Sequence, residues 1–456
     1  MRAAIFDGRS ARCSACLVGL AGLAMACQTP ASIRYQSLSE DWQRTASPSE
    51  RSRDSGEDLA LGSASLDRRA LIQSVLERNP NLEVARQAWR ASLARFPQAT
   101  GLDDPMLGVG VAPLSFGSSR VDPGASFDVS QRLPFPGKRR LRGDAALAEA
   151  EAMGQDMESL RLQLATLASG LFDDYALAAR SLEINQEHTT LLSEYQRIAL
   201  SRYAAGEDSK QSVLQAEMAL TRALYERTEL ESSARIVAER INALLHRRVD
   251  LPLPAAPREL AFPEDPDDPI ESLVTRALDL HPELAAASAR VAAAEARVDL
   301  AEREFLPDFT LTGAYDRRWQ ESDLAPFVGV QVNVPLQLGR RRAALEESQA
   351  DFEGTRQRRV AVEDDVRLAV QSASVRLEQA RQAEQLVRDR LLPAAAEQVT
   401  AARSAYTAGS STFLVLIDAL RELHEIELGH QESLAQIGRR RAELDRALGR
   451  IPGLTW

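Results

Sequence analysis

The side chains best able to do chemistry are few. Five histidines stand at positions 188, 246, 281, 424 and 430. None pairs with a cysteine at a metal-ligand spacing. His424 and His430 are six residues apart, off the three- or four-residue spacing that puts two ligands on one helix face. They read as surface histidines, not as metal ligands. The run Glu363-Asp364-Asp365 reads as the solvated face of a helix. No glycine-rich loop is built to cradle a phosphate, and no nucleophile elbow is present. The chain therefore reads as a non-enzyme, with no cofactor and no resident metal. The remaining group with a chemistry of its own is a thiol.

That thiol is Cys27. Arg2, Arg9 and Arg12 precede an apolar run from Cys16 to Ala26, which is the pattern of a secretory signal peptide over residues 1–26. Ala24-Met25-Ala26 fits an ordinary small-residue cleavage site. The stretch LAMAC also resembles a bacterial lipobox, which implies acylation of Cys27. Cys13 and Cys16 would leave with the signal, so Cys27 would be alone, without a disulfide partner. Residues 27–65, rich in Ser, Asp, Glu and Arg, read as a flexible tether.

The rest of the chain is organised around a stretch used twice, FDVSQRLPFPGKRR from Phe127 and FVGVQVNVPLQLGRRR from Phe327. Each starts as a strand. In the second, Val328, Val330, Val332 and Val334 alternate with Gly329, Gln331 and Asn333. Period-two alternation predicts one apolar and one polar face. Pro134 and Pro335 end the ladder because proline has no N–H to donate. Gly137 and Gly339 are expected to turn the backbone into a following helix. Asn79-Pro80 matches His281-Pro282 at an offset of 202 residues, and Tyr203-Ala-Ala-Gly206 matches Tyr406-Thr-Ala-Gly409 at 203. Landmarks kept in order at one period indicate duplication. The repeats are read as 66–248 and 269–450, with a Pro-rich linker at 249–268.

Each repeat predicts two short helices broken at a proline, a β-hairpin and two long helices. The hairpin strands are expected at Met106–Phe116 and Ala125–Leu133, and at Asp308–Arg318 and Ala325–Leu336. The long helices are expected from Arg139 to about Ala204, Ser209 to about His246, Arg340 to Tyr406 and Ser410 to Gly449, with a kink or local adjustment at Pro393. Leu160, Leu164, Leu167 and Leu171 make one apolar seam. Val362, Val366, Ala369, Ala373, Leu377 and Ala380 make another. A helix of about 65 residues is roughly 100 Å long, which suits a coiled coil or the wall of a tube. The net charge of −11 argues against nucleic acid as a partner. No apolar run beyond the N-terminus approaches the ~20 residues of a membrane-spanning helix, so any crossing would be made by strands.

This plan, with PFPGKRR and PLQLGRRR at the strand-to-helix joints and YxAG at the helix turns, resembles the TolC-like outer-membrane efflux family. The PFPGKRR joint is similar to its heavy-metal efflux branch. The resemblance implies a mainly helical fold with a small β part. It implies a homotrimer whose hairpins share one twelve-stranded barrel, continued by a helical tunnel into the periplasm. It implies outer membrane lipid around the strands, and a periplasmic adaptor and an inner-membrane transporter as partners. The function implied is a passive exit duct of a tripartite efflux system. Alternatives are the outer-membrane component of type I secretion, or a non-transporting periplasmic coiled-coil scaffold.

The resemblance also implies an entrance. The helix turns at Gly206 and Gly409 would meet at the tunnel tip and contact the adaptor. Asp418 matches one acidic gate position of the family, while Val415 and Ser411 stand where it has an acidic and a basic residue. Tyr406 matches a tyrosine that holds the closed state, and its opposite number in the first half is Ser212. Three copies of Asp418 would form a cation-selecting ring, with Tyr406 as a latch.

Overall fold

The structure is a computed structural model and describes residues 30–45, 65–115, 124–260, 262, 268–316 and 326–453. Cys27 and the signal segment lie outside these residues. The elements run α1 (Pro30–Arg44), α2 (Arg68–Arg78), α3 (Pro80–Leu93), α4 (Arg95–Thr100), β1 (Met106–Val111), β2 (Ala125–Leu133), α5 (Lys138–Ala204) and α6 (Lys210–Leu244). They continue with α7 (Ile270–Leu280), α8 (Pro282–Arg303), β3 (Asp308–Asp316), β4 (Pro326–Asn333), α9 (Leu338–Leu386), α10 (Leu392–Thr407) and α11 (Phe413–Ala447). The fold is mainly helical with one small sheet. The chain divides into two compact units.

The first unit draws on Met1–Thr45, Ala91–Ala150 and Ala293–Gln349. Its sheet is antiparallel throughout, in the order β1-β2-β3-β4. The register sorts the side chains onto two faces. Leu107 opposes Val129, Val109 opposes Phe127, Phe127 opposes Tyr315, and Leu311 opposes Val330. Apart from Gln131, opposite Leu311, this face is apolar, and it is largely exposed; Val328 is 85% accessible. The other face carries Asp128, Ser126, Ser130, Thr312, Gln331 and Asn333. Gly108 sits across from Asp128, and a Cβ there would run into the carboxylate. Two of the strands end sooner than the alternation suggested, at Val111 and Asn333; Arg317 and Arg318 lie outside the described residues.

The two strand-to-helix joints differ. At the first, Gly137 has φ +95°, a conformation that favours glycine. The next residue, Lys138, is only 1% exposed. Its Nζ donates to Asp308 Oδ1 (2.9 Å), the Leu306 carbonyl (3.0 Å) and Glu304 Oε2 (3.3 Å). Asp308 also accepts from Arg132 and from the Phe135 amide. At the second joint α9 already begins at Leu338, so Gly339 is helical and does not turn the chain. Two short i→i+2 bonds, Leu336 N–H to Val334 O and Leu338 N–H to Leu336 O, make that turn.

Residues 27–65, read as a flexible tether, include a helix, α1. Tyr35 explains it: the ring stacks on Phe96 of α4 at 4.8 Å between centroids. Local ion pairs of Arg44 with Glu40 and Asp41 support its last turn.

The second unit draws on Ala46–Arg90, Glu151–Ala292 and Ala350–Trp456. Asn79 and His281 are both extended, with ψ near 120°, as a residue before proline prefers. Each then caps the next helix: Asn79 Oδ1 accepts from Asn81 N–H and His281 Nδ1 from Glu283 N–H. Along α5 the core takes Leu164, Ala165, Ala168, Leu171 and Phe172. Leu167 turns out to solvent, because the seam follows the straight-helix period and alanines fill it. On α9 the buried apolar positions are Val366, Val370, Ala373 and Leu377, with Val370 replacing the expected Ala369. Pro393 leaves a trace before it: Val387–Leu391 is one π-helical turn. The wider turn accommodates the ring and the missing N–H without a break.

Candidate functional site

The site begins with two glycines. After α5, Gly206 has φ +75°, and after α10, Gly409 has φ +71°. A Cβ at either would meet nothing within 4 Å, so the backbone conformation alone calls for glycine. Glu207 N–H bonds Arg202 O at 2.9 Å, and Ser410 N–H bonds Ala405 O at 2.9 Å. These six-to-one bonds close the helix ends in the Schellman manner. Ser209 then caps α6, its hydroxyl accepting from Ser212 N–H.

Between these turns lies a carboxylate that the sequence reading missed. Asp208 Oδ2 accepts from the Tyr406 hydroxyl at 2.8 Å. Its Oδ1 accepts from Ser212 Oγ at 2.6 Å and from Ser209 N–H at 2.7 Å. Arg202 completes the cluster. Its Nη1 donates to the Tyr406 carbonyl at 2.9 Å, and its guanidinium lies 4.8 Å from the Tyr406 ring centre. Phe413 packs edge-on against that ring at 5.3 Å. Tyr406 is buried in a cluster with Leu192, Tyr195, Ala199, Leu416 and Leu420.

These surroundings set two ionisations. Burial pushes the Asp208 carboxyl up, but hydrogen bonds from Ser212, Tyr406 and Ser209 and the charge of Arg202 outweigh it and hold the group below its ordinary value. Burial first, and then the Asp208 charge, push the Tyr406 phenol up to about 12. At neutral pH the pair is therefore a phenol donating to a carboxylate, the stronger kind of hydrogen bond.

Tyr406 and Ser212 come together through Asp208, not directly. Asp418 does not join them. It is half-exposed on α11 and pairs with Arg421 at 3.3 Å. Val415 is exposed. The two matched tyrosines also differ: Tyr203 is exposed and Tyr406 buried. Asp208 was signalled by a mismatch between the repeats, since the first turn reads Gly-Glu-Asp where the second reads Gly-Ser-Ser. Arg202 had no comparable signal.

The histidines need a correction. His281 and His424 are buried, not on the surface. His281 serves as the cap described above. His424 stacks on His188, with ring centres 4.2 Å apart and planes 11° from parallel. Its Nε2 is 3.0 Å from Glu226 Oε2. His430 Nε2 is 3.3 Å from Glu384 Oε1. Among the described residues no cluster of His, Cys, Asp and Glu is arranged to hold a metal ion.

The chain matches the family model described as outer membrane efflux protein over residues 71–246 and 273–450. Protein CyaE of Bordetella pertussis is 28% identical over 254 residues, which is 54% of this chain and 52% of CyaE. The chain thus spans about half the length of that relative. The pyoverdine export outer membrane protein OpmQ of Pseudomonas putida is 26% identical over 451 residues, 92% of this chain and 90% of OpmQ. Among solved structures, CusC superposes with a TM-score of 0.73 at 15% identity, covering 87% of this chain and 96% of CusC. The family pattern covers most of the chain in two successive stretches, and the chain belongs to the outer membrane efflux protein family.

Proposed function

We propose that three copies of this chain close into one twelve-stranded barrel in the outer membrane, as the passive exit duct of a tripartite efflux system. The sheet carries this reading. Within the described residues β1 pairs only with β2 and β4 only with β3, so both edges are open. One face is apolar but for Gln131, and it is largely exposed. Open edges are not tolerated in lipid, and closure is the remedy. Joining β1 of one copy to β4 of the next meets both demands and turns Asp128, Gln331 and Asn333 toward water. A non-transporting scaffold has no use for such a sheet.

An inner-membrane transporter would supply the energy and a periplasmic adaptor would contact the turns at Gly206 and Gly409. The Asp208–Tyr406–Ser212–Arg202 cluster would latch the entrance. Asp418, partly neutralised by Arg421, would face the lumen as an acidic ring. Cys27 would carry a lipid. The printed name of OpmQ, an export protein, supports an export role; type I secretion is the alternative route with the same duct.

The test has two parts. Cysteines at Val109 and Val330, on β1 and β4, should cross-link between copies into a covalent trimer. The purified protein should also form ion-conducting channels in planar bilayers. Monomers under cross-linking and silent bilayers would overturn the reading. Cys27→Ser should abolish labelling by radioactive palmitate while leaving trimers; label retained on that variant would refute lipidation.

A further inference from the structure

We propose that the stacked His188–His424 pair, bounded by Glu226, is a proton-sensitive joint: it holds α5, α6 and α11 together while at most one ring is charged, and lets α11 part from α5 when both are. The inference rests on the duct reading only for its consequence in transport.

The geometry favours one tautomer of His424. His424 is 5% exposed. Its Nε2 faces Glu226 Oε2 at 3.0 Å, so Nε2 carries the proton and donates it. Its Nδ1 is buried and has no hydrogen-bond partner. An N–H there would be an unsatisfied buried donor, whereas a bare lone pair costs less. The Nε2–H tautomer therefore suits the packed state better than the Nδ1–H one. Asn185 secures the acceptor: its Nδ2 donates to Glu226 Oε2 at 3.2 Å and to Ala223 O at 3.1 Å.

The other face of the ring is occupied by a second imidazole. Two parallel rings 4.2 Å apart stack well when neutral and repel when both are cationic. Glu226 on α6 faces His424, Glu427 on α11 interacts with His424, and Glu187 and Arg180 on α5 act in turn on Glu427. Glu226 can compensate one proton on the pair, at His424. The second proton, on His188, has no hydrogen-bonded carboxylate among these contacts. Glu427 gives little help in acid, since burial, chiefly, and Glu187 raise its pKa and it takes up a proton as the pH falls.

The sign of the response follows. Burial first, and the His424 charge second, push His188 down from 6.5 to about 4. In a parted state exposed to water, His188 would titrate near 6.5. Between these values the parted state binds more protons, so the packed state loses ground as pH falls. The loss approaches tenfold per pH unit and reaches roughly 150-fold at pH 4. The Asp208–Tyr406 latch does not change ionisation over that range, because both its pKa values lie outside it.

The experiment is amide hydrogen exchange of the purified full chain, read on peptides covering 182–192 and 420–430. Protection is corrected for the intrinsic pH dependence of exchange. Wild type should lose protection below pH 6.5 with a slope approaching one decade per unit. His188→Gln should lose that slope, as should His188→Asn, which guards against one variant failing to assemble. Glu427→Gln should keep it. A wild-type profile flat in pH, or an equal slope in both His188 variants, would overturn the joint. Channel recordings over the same pH range separate this from the duct reading. Silent bilayers together with a His188-dependent exchange slope would count against the duct and leave the joint standing.

Discussion

Tyr406→Phe is the sharpest probe of the proposed latch because it removes one atom. The ring keeps its edge contact with Phe413 and its place under Arg202. Lost is the 2.8 Å hydrogen bond to Asp208. Hydrogen bonds to charged groups contribute about 1.5–3 kcal/mol when well buried. Asp208 is half-exposed and keeps Ser212 and the Ser209 amide, so the expected loss is nearer 1–2 kcal/mol. That corresponds to a 5- to 30-fold rise in the open-to-closed ratio. The assay is the open fraction of single channels in planar bilayers. Asp208→Asn should shift it in the same direction, and the double variant should add little, since both changes break one contact. The sign with pH is also fixed. Asp208 lies below its ordinary value, so its contribution is present above pH 4 and fades only in stronger acid. Tyr406 lies at about 12, so its contribution is lost only as pH rises toward that value. An open fraction unchanged in Tyr406→Phe, or strict additivity in the double variant, would refute the latch.

Three further outcomes are expected. Val330→Asp puts a charge on the lipid-facing side and should cost about 1–3 kcal/mol of barrel stability, less than a cation there, while Asn333→Asp should be mild; urea unfolding in detergent measures both, and equal effects would mean that the faces are reversed. Lys138→Met leaves Asp308 buried without its lysine and should cost about 3 kcal/mol; a loss below about 1 kcal/mol in the same assay would show that Arg132 and the Phe135 amide suffice. Asp418→Asn should weaken cation selectivity, and Arg421→Gln should strengthen it by freeing the carboxylate; reversal potentials unchanged in both would remove the acidic ring.

The elements were legible because their signals are local. Alternation marks the strands, glycine after a tyrosine marks the turns, and proline marks the breaks at Asn79 and His281. Strand ends were less legible. Alternation continues past Asn333, but pairing stops there, with Asp308 as its last partner. The tether reading missed α1 because Tyr35 owes its order to Phe96, sixty-one residues away in the chain. For the site, Tyr406 and Ser212 could be placed by resemblance, yet the group joining them could not. Asp208 beside Glu207 looks like any acidic turn. Only packing shows that one carboxylate faces the phenol while its neighbour is exposed. Buried histidines were misread for the same reason, since a histidine spacing on one helix says nothing about His188 or Glu226 on two others.

The family pattern matches two successive stretches, 71–246 and 273–450. Corresponding positions in the two need keep only what the backbone requires. Gly206 and Gly409 both keep positive φ, and both remain glycine. Where the backbone makes no such demand, the side chains diverge. Asn79 and His281 share one extended conformation and one capping role with different chemistry. Gly137 turns its joint, while Gly339 is absorbed into a helix. The lysine after Gly137 is buried with three acceptors; at the equivalent place Arg340 is exposed, and the next residue, Arg341, reaches the Glu304 carbonyl. The first joint is therefore held by a buried charge that cannot leave without desolvating its partners, and the second by one bond from a half-exposed arginine. Local opening follows the density of buried contacts. Amides at the start of α9 should exchange faster than those at the start of α5, and the reverse order would mean that the buried lysine does not set the stiffness of its joint.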